Sequence, residues 1–161
     1  VKVILTQDVP SLGKSGELLV TYNGHNQSVR GVLFLPEGKE VYSSGSDNKL
    51  HRWAIADGKK AGEAGLGGEA YKLTPTGETF LSSSTDKKVR EFSTKDHKQV
   101  REIAGAKDWV LSTAYDAASQ RLAGGTFDGQ VVVWNAVDGK VVTSFCAMPG
   151  FVQADTKTAQ K

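Results

Sequence analysis

Residues 43–53 read, in order, Ser43-Ser44-Gly45-Ser46-Asp47-Asn48-Lys49-Leu50-His51-Arg52-Trp53. In this stretch an aspartate precedes a tryptophan by six residues, and the spacing recurs in Asp86 with Phe92 and in Asp128 with Trp134. Successive copies are separated by 39 and then 42 residues. A second aspartate follows each aromatic residue by four positions, at Asp57, Asp96 and Asp138. Independent positions that share one spacing indicate three copies of the same structural unit.

Each unit is predicted to consist of four β-strands. Apolar and polar residues alternate with period two in several segments, and no window carries a sustained apolar period of about 3.6 residues. Turn signals such as Asp57-Gly58 and Asp138-Gly139 separate these segments. The strands are expected at 29–35, 40–44, 49–54 and 60–64, then at 70–74, 79–83, 88–93 and 99–103, and finally at 110–115, 121–125, 130–135 and 141–145.

The motifs of the first unit resemble a WD-repeat blade. They are Gly24-His25, the serine-rich segment that ends at Asp47, and the strand that ends at Trp53. The third unit is similar, and the second is a degenerate copy in which Phe92 replaces the tryptophan. The resemblance covers about residues 17–148. It implies an all-β, partial WD-type β-propeller, with blades at residues 25–66, 67–106 and 107–149.

The resemblance also implies a hydrogen-bonded network inside the first blade. In WD repeats it joins a histidine, a serine or threonine, the turn aspartate and the tryptophan, which correspond here to His25, Ser43, Asp47 and Trp53. In the other blades Asp86, Phe92, Asp128 and Trp134 correspond to the turn and core anchors. Counting 22 residues back from the later aspartates gives Ala64 and Ala106, so only the first blade is expected to hold the complete network.

A serine, a histidine and an aspartate also invite comparison with a hydrolase triad. Such a triad needs an exposed nucleophile beside a base, with oxyanion donors in a pocket. The resemblance instead places Ser43, His25 and Asp47 inside a blade. We therefore assign no catalytic residue and read the group as structural.

The first eighteen residues differ from the rest of the chain. They read Val1-Lys2-Val3-Ile4-Leu5-Thr6-Gln7-Asp8-Val9-Pro10-Ser11-Leu12-Gly13-Lys14-Ser15-Gly16-Glu17-Leu18 and resemble the beginning of the ninth protein of the bacterial large ribosomal subunit. In that family the segment is a strand, a glycine-lysine loop and a second strand, within a domain bound to ribosomal RNA. The change of family near Gly16 suggests a chimera; chance similarity and a divergent half-blade are the alternatives.

The same segment can also be interpreted as a β-hairpin, because alternating strands at 1–6 and 17–23 flank a turn-rich loop. Residues 1–24 would then supply the outer half of a further blade. Three blades and a half are too few to close a ring, since propellers ordinarily contain four to eight blades. The exposed blade faces predict a homo-oligomer, expected to be a dimer that completes the ring. Alternatively, the chain is the C-terminal part of a longer propeller. The polar tail, residues 150–161, is expected to be loose.

Composition excludes several classes of site. Cys146 is the single cysteine, so neither an internal disulfide nor a thiolate metal cluster is possible. Three histidines lack zinc-ligand spacing, and we predict no metal and no cofactor. No apolar run reaches the ~18 residues that a membrane helix needs, and cytoplasmic is the default expectation.

The predicted function is a non-enzymatic protein-interaction or self-assembly module. A net charge of +2, from 20 basic and 18 acidic residues, is too small to indicate nucleic-acid binding by itself. Candidate contact residues are Trp109, which could alternatively pack between blades, and the basic cluster Lys87, Lys88 and Arg90. The alternative function is ribosomal RNA binding through the first eighteen residues. An enzymatic site in the central channel has no residues to name.

Overall fold

The computed structural model describes residues 1–8, 10 and 13–148. Within them, fourteen β-strands form four antiparallel sheets, and the one helical segment is a 3₁₀ turn at Pro36–Gly38. The first sheet has two strands, β1 (Lys2–Ile4) and β2 (Leu18–Thr21). No helix in this part of the chain is long and apolar enough to cross a membrane. The tail for which we expect a loose conformation, residues 150–161, lies outside the described residues.

The other three sheets each contain four consecutive strands, in the order of a propeller blade. Blade one is β3 (Val29–Phe34), β4 (Glu40–Gly45), β5 (Lys49–Ala54) and β6 (Lys60–Gly65). Blade two is β7 (Ala70–Pro75), β8 (Thr79–Ser84), β9 (Val89–Ser93) and β10 (Gln99–Ile103). Blade three is β11 (Val110–Asp116), β12 (Arg121–Thr126), β13 (Gln130–Asn135) and β14 (Val141–Cys146). The predicted partial propeller is confirmed, and the strand bounds of these blades differ from the expected ones by at most one residue.

Alternation along the strands creates two faces on every blade. We call the face toward the preceding blade the leading face and the opposite one the trailing face. In blade three the leading face is buried and includes Leu122, Val132 and Trp134, whereas the alternate residues Val131 and Val133 are only half-buried. Period-two patterning thus places one apolar set of side chains on each face.

The core consists of the layers between blades. Between blades one and two lies a cluster that includes Tyr42, Leu50, Phe80 and Phe92. Between blades two and three lies another, formed by Leu81, Val89, Ile103, Val110, Leu122, Val132 and Trp134. The hydroxyls of Thr74 and Thr113, which are 2.8 Å apart, link the inner strands of these two blades. Removing this apolar surface from water is the main stabilising contribution, at ~25 cal/mol per Å².

The two-stranded sheet is a half-blade that covers the outer strands of blade one. Tyr22, at the end of β2, forms a third cluster with Val41 and Trp53 of blade one, and Val3 and Val20 pack against it. The inner strand β3 receives no such cover, because the half-blade contains two strands and not four. In the described residues the leading face of blade one is therefore only partly covered.

Candidate functional site

The structure brings His25, Ser43, Asp47 and Trp53 together at the leading face of blade one. His25 Nδ1 lies 2.8 Å from Asp47 Oδ2, and His25 Nε2 lies 2.8 Å from Ser43 Oγ. Trp53 Nε1 donates to Ser43 Oγ at 3.1 Å. Strand β4 supplies the serine, the β4–β5 turn supplies the aspartate, and β5 supplies the tryptophan. His25 comes from the segment between the half-blade and β3.

The donor and acceptor types set the direction of this chain of hydrogen bonds. A carboxylate only accepts and an indole N–H only donates. Therefore Trp53 donates to Ser43, and the Nδ1–H of His25 donates to Asp47. The remaining nitrogen of a neutral His25 then accepts from the Ser43 hydroxyl. Every polar group of the network is satisfied, as buried polar groups require.

Tyr22 and His51, which no sequence motif marked as site residues, extend this network. Tyr22 Oη lies 2.8 Å from His51 Nδ1. The His51 ring stacks on the His25 ring with centroids 4.0 Å apart, and Tyr22 stacks on Trp53 at 4.9 Å. A signal for His51 was available, since it lies two residues before Trp53 on the same strand and therefore shares its face.

Burial sets the protonation behaviour of the extended network. Desolvation by burial lowers the pKa of His51 below its usual value, with a smaller electrostatic contribution from the adjacent His25. Burial also raises the pKa of Tyr22, with smaller contributions from Glu63 and Asp47. The amines of Lys49 and Lys60, each 2.7 Å from the Glu63 carboxylate, lower its pKa to about 2. Glu63 Oε2 lies 3.3 Å from His51 Nε2 but not in hydrogen-bond geometry, so that nitrogen has no partner in the described residues.

This geometry does not offer a nucleophile or an open metal site. The Ser43 side chain is fully buried and already contacts Trp53 and His25. The ligand atoms of His25, Asp47 and His51 lie within 4.8 Å of one another. However, both ring nitrogens of His25 are engaged by Asp47 and Ser43, so a metal ion would have to displace the network. The arrangement can hold a blade and its half-blade together, and we assign no substrate chemistry to it.

Blade two replaces the network with an ion pair. Arg90, at the position of His51, contacts Asp86 and lies 2.9 Å from Glu102. A Cβ at Gly67 would come within 2.2 Å of Asp86 Oδ2. The backbone can therefore approach this aspartate so closely only because residue 67 is a glycine. Burial works to raise the pKa of Asp86, but Arg90 prevails and the pKa is lowered.

The counting rule that assigned Ala64 to the position of His25 is wrong for blade two. Ala64 lies within β6, paired with Leu50, whereas His25 lies beyond the end of β2. The cause is the shorter connection from β7 to β8, which joins Pro75 to Thr79, whereas β3 and β4 are separated by residues 35–39. Counting back from Asp86 therefore runs too far.

Blade three keeps the tryptophan but changes its acceptor. Trp134 Nε1 donates to the carbonyl oxygen of Ala104 at 2.7 Å. Gly124 stands where blade one has Ser43, and a Cβ there would lie 2.9 Å from the indole ring. The turn aspartate, Asp128, accepts from Gln130 Nε2 at 2.9 Å. Blade three thus satisfies its polar groups without a histidine or a serine.

The candidate contact residues differ in accessibility. Arg90 is buried in its ion pairs, so the expectation that it is a surface contact residue is wrong. Lys88 lies 3.3 Å from Glu102 at the surface, and Lys87 is exposed in the turn with φ 68°. Trp109 is 41% exposed and lies 5.3 Å from the ring of Phe127, which is 65% exposed.

Two family models match the sequence. The model of the WD domain, G-beta repeat, matches residues 16–54 and 97–135. The model of the ribosomal protein L9, N-terminal domain, matches residues 1–22, so both models include β2. No curated protein matches the chain.

Solved structures match the fold. The computationally designed Ika8 protein aligns with a TM-score of 0.69 at 20% identity, over 81% of this chain and 40% of that one. The RRP9 WD40 repeats align with a TM-score of 0.68 at 18% identity, over 77% of this chain and 40% of that one. The computationally designed Ika4 protein aligns with a TM-score of 0.69 at 20% identity, over 81% of this chain and 79% of that one. This chain thus spans less than half the length of the first two.

The repeated motifs, the three four-stranded sheets and these matches agree with one another. The chain is therefore a partial WD-type β-propeller that matches the WD domain, G-beta repeat, over residues 16–54 and 97–135, with an N-terminal segment that resembles the start of ribosomal protein L9.

Proposed function

We propose that this chain is a non-enzymatic protein-interaction module that assembles with a second copy of itself. The observation that carries the proposal is the presence of an uncovered apolar blade face at each end of the described blades. Apolar surfaces of this kind mark interaction sites or sites of aggregation. Contact with a second copy would remove part of this surface from water, as ring closure does in other propellers.

At the leading end, the exposed residues lie on the inner strand of blade one. Val29, Val32 and Phe34 are 36%, 48% and 55% exposed. The counterparts of Val29 and Val32 are buried by the preceding blade: Ala70 and Leu73 in β7, and Val110 and Thr113 in β11. The counterparts of Phe34 are Pro75, which is exposed, and Tyr115, which is half-buried. The positions of Val29 and Val32 are thus buried wherever a complete blade precedes them.

At the trailing end, the whole outward face of blade three is open in the described residues. Val131 and Val133 are half-buried, and Phe145 of β14 is 53% exposed. In blade two the residues that correspond to Val131 and Phe145 are Val89 and Ile103, and both are buried under blade three. The described blades therefore end in two exposed apolar surfaces, the leading face of blade one and the trailing face of blade three.

Chain length supports assembly from short chains. The alignment with Ika4 covers 81% of this chain and 79% of that one, so a propeller-like fold occurs in another chain of about this length. The likeness concerns the fold, and self-assembly is inferred from the exposed faces.

Measurement of mass in solution tests the proposal. Sedimentation or light scattering over a range of concentrations should give a mass that rises above the 17.2 kDa of one chain. A folded chain that stays at 17.2 kDa at all concentrations would refute self-assembly.

A second protein partner has a separate candidate surface. The Trp109–Phe127 pair is an exposed aromatic contact on the turns of blade three, and aromatic residues are enriched at protein interfaces. The double variant Trp109→Ala with Phe127→Ala should leave self-assembly unchanged, because neither residue lies on the open blade faces.

Ribosomal RNA binding is the second candidate function, favoured by the match of residues 1–22 to the L9 domain. Among the cations of this segment, Lys14 pairs with Asp8 at 2.8 Å. Binding through few phosphate contacts should be weak and should fall with salt. Retention on ribosomal RNA at low salt that disappears as salt rises would support this function, and no retention at low salt would remove it.

A further inference from the structure

The pairing between the third and fourth strands of a blade contains one shift of register, next to the core aromatic residue. The register shifts between Arg52 and Trp53 in blade one and between Val133 and Trp134 in blade three. After the shift, each tryptophan lies opposite the first residue of the outermost strand, Lys60 or Val141. This feature marks the position of the core aromatic residue on the leading face.

The half-blade contains the same irregularity. Its register shifts between Val3 and Ile4, and Ile4 then lies opposite Leu18, the first residue of β2. Ile4 therefore occupies the position of the tryptophans. Trp53 and Trp134 are fully buried, but Ile4 and Leu18 are 50% and 53% exposed. Because Val3 packs toward blade one, its neighbour Ile4 points away from it.

The trailing faces of the three blades also correspond position by position. Equivalent positions on the third strand hold Leu50 in blade one, Val89 in blade two and Val131 in blade three. Their partners on the outermost strand are Ala64, Ile103 and Phe145, in the same order. Leu50 and Val89 are buried in the layers between blades, and Ile103 lies in the same cluster as Trp134. Val131 and Phe145 lack such a neighbour in the described residues.

We propose that the half-blade of a second copy covers the trailing face of blade three, with Ile4 beside Val131 and Phe145 as Trp134 is beside Val89 and Ile103. The inference rests on the proposed self-assembly and specifies its surfaces. Its template is the packing of blade three on blade two within the same chain. The occupant is a second copy because the half-blade exposes a leading face and blade three exposes a trailing face, and these two kinds of face pack together inside the chain.

The contact is head-to-tail, since the two surfaces differ. Each copy supplies three blades and one half-blade, so two copies fill eight blade positions, six of them with complete blades. Eight is within the usual range for propellers. Two equal junctions close such a ring.

Charged substitutions test each side of the junction in the full chain. Ile4→Asp and Phe145→Asp should each raise the dissociation constant of the assembly at least ten-fold, because each places a carboxylate in an apolar contact. Val137→Asp is the matched control: Val137 is 63% exposed in the β13–β14 connection and lies off both faces. Circular dichroism should show the same folded signal for all three, since each residue is exposed in a single chain.

A mixture of the two variants distinguishes this junction from other contacts. Mixing Ile4→Asp with Phe145→Asp leaves one unaltered junction between the copies, so the mixture should associate more strongly than either variant alone. A contact between two identical surfaces would show no such recovery. If the parent chain associates but neither variant weakens it, the proposed junction is wrong while self-assembly stands. If the parent chain is monomeric at all concentrations, both are wrong.

Discussion

Asp47, Asp86 and Asp128 occupy the same turn in successive blades, and each is matched by a different side chain. His25 donates to the first, Arg90 pairs with the second, and Gln130 donates to the third. The first two also accept a backbone N–H from the residue two positions later. The aspartate therefore defines the turn, while the side chain that satisfies its outer oxygen varies with the space available.

The His25 network makes a measurable prediction. Replacing His25 with alanine removes the acceptor of the Ser43 hydroxyl and the side-chain donor to Asp47, and should lower the free energy of unfolding by ~1–3 kcal/mol. Urea denaturation would measure the loss. Ser43→Ala should also destabilise, and the double variant should lose less than the sum, because both changes interrupt one network. Strict additivity would contradict the network.

Gly124 is required by the ring of Trp134. A Cβ at Gly124 would lie 2.9 Å from the indole and 3.2 Å from Val110. Gly124→Ala should therefore cost ~1–3 kcal/mol through overpacking. Gly125→Ala is the matched control, because its Cβ would meet only the hydroxyl of Ser112, and its melting temperature should fall less. Equal effects of the two substitutions would contradict this account.

At the scale of elements, the half-blade is held to blade one through Tyr22. Its ring stacks on Trp53 and its hydroxyl contacts His51. Side chains of the half-blade strands, Val3 and Val20, add apolar cover over the same cluster. A segment that resembles a ribosomal protein thus serves as the outer half of a propeller blade, because alternating strands with an apolar face meet the needs of both folds.

The buried His51 makes this docking sensitive to acid. Its pKa in the folded chain is lowered from 6.5 by burial, then by His25, with Lys60 acting in the same direction and Glu63 and Asp47 opposing. Below pH 6.5 the unfolded chain binds more protons than the folded chain, so stability should fall as pH decreases from about 6.5 toward the lowered pKa.

Thermal melts between pH 7.5 and 5 would measure this effect. His51→Gln removes the titrating group and should reduce the slope of melting temperature against pH. His97, whose pKa is lowered by burial and by Arg52, acts in the same direction, so His97→Gln provides the comparison. The stability that Glu63 contributes is lost at lower pH, between pH 4.5 and about 2, because its pKa is lowered in the folded chain. A slope unchanged in both histidine variants would contradict the prediction.

At the scale of the whole molecule, the same substitution at equivalent positions should change stability by different amounts, because blade two is covered by blade three and blade three has no blade packed on its trailing face in the described residues. Val89 of blade two is fully buried beneath blade three, whereas Val131 at the same position of blade three is half-buried. Val89→Asp should lower the free energy of unfolding by ~4 kcal/mol and unfold much of the chain, because it buries an unpaired charge. Val131→Asp should leave the single chain folded. Denaturation at a concentration below the dissociation constant of the assembly compares them, and equal losses would contradict an open trailing face.

The amino-acid sequence alone determined the number of blades, the strand bounds within the three blades and the candidate tetrad around His25, whereas the hairpin strands expected at 1–6 and 17–23 are shorter, at Lys2–Ile4 and Leu18–Thr21. These depend on alternation, turn residues and a repeated spacing, all of which are local and can be read along the chain. Only the tertiary structure decided that Arg90 is buried, that Tyr22 and His51 join the tetrad, and which blade faces stay open. Those outcomes depend on neighbouring residues from other blades. A difference in the length of one loop, such as the loop between β7 and β8, also changes which residue occupies the position of His25, although the spacing of the strand and turn motifs is kept.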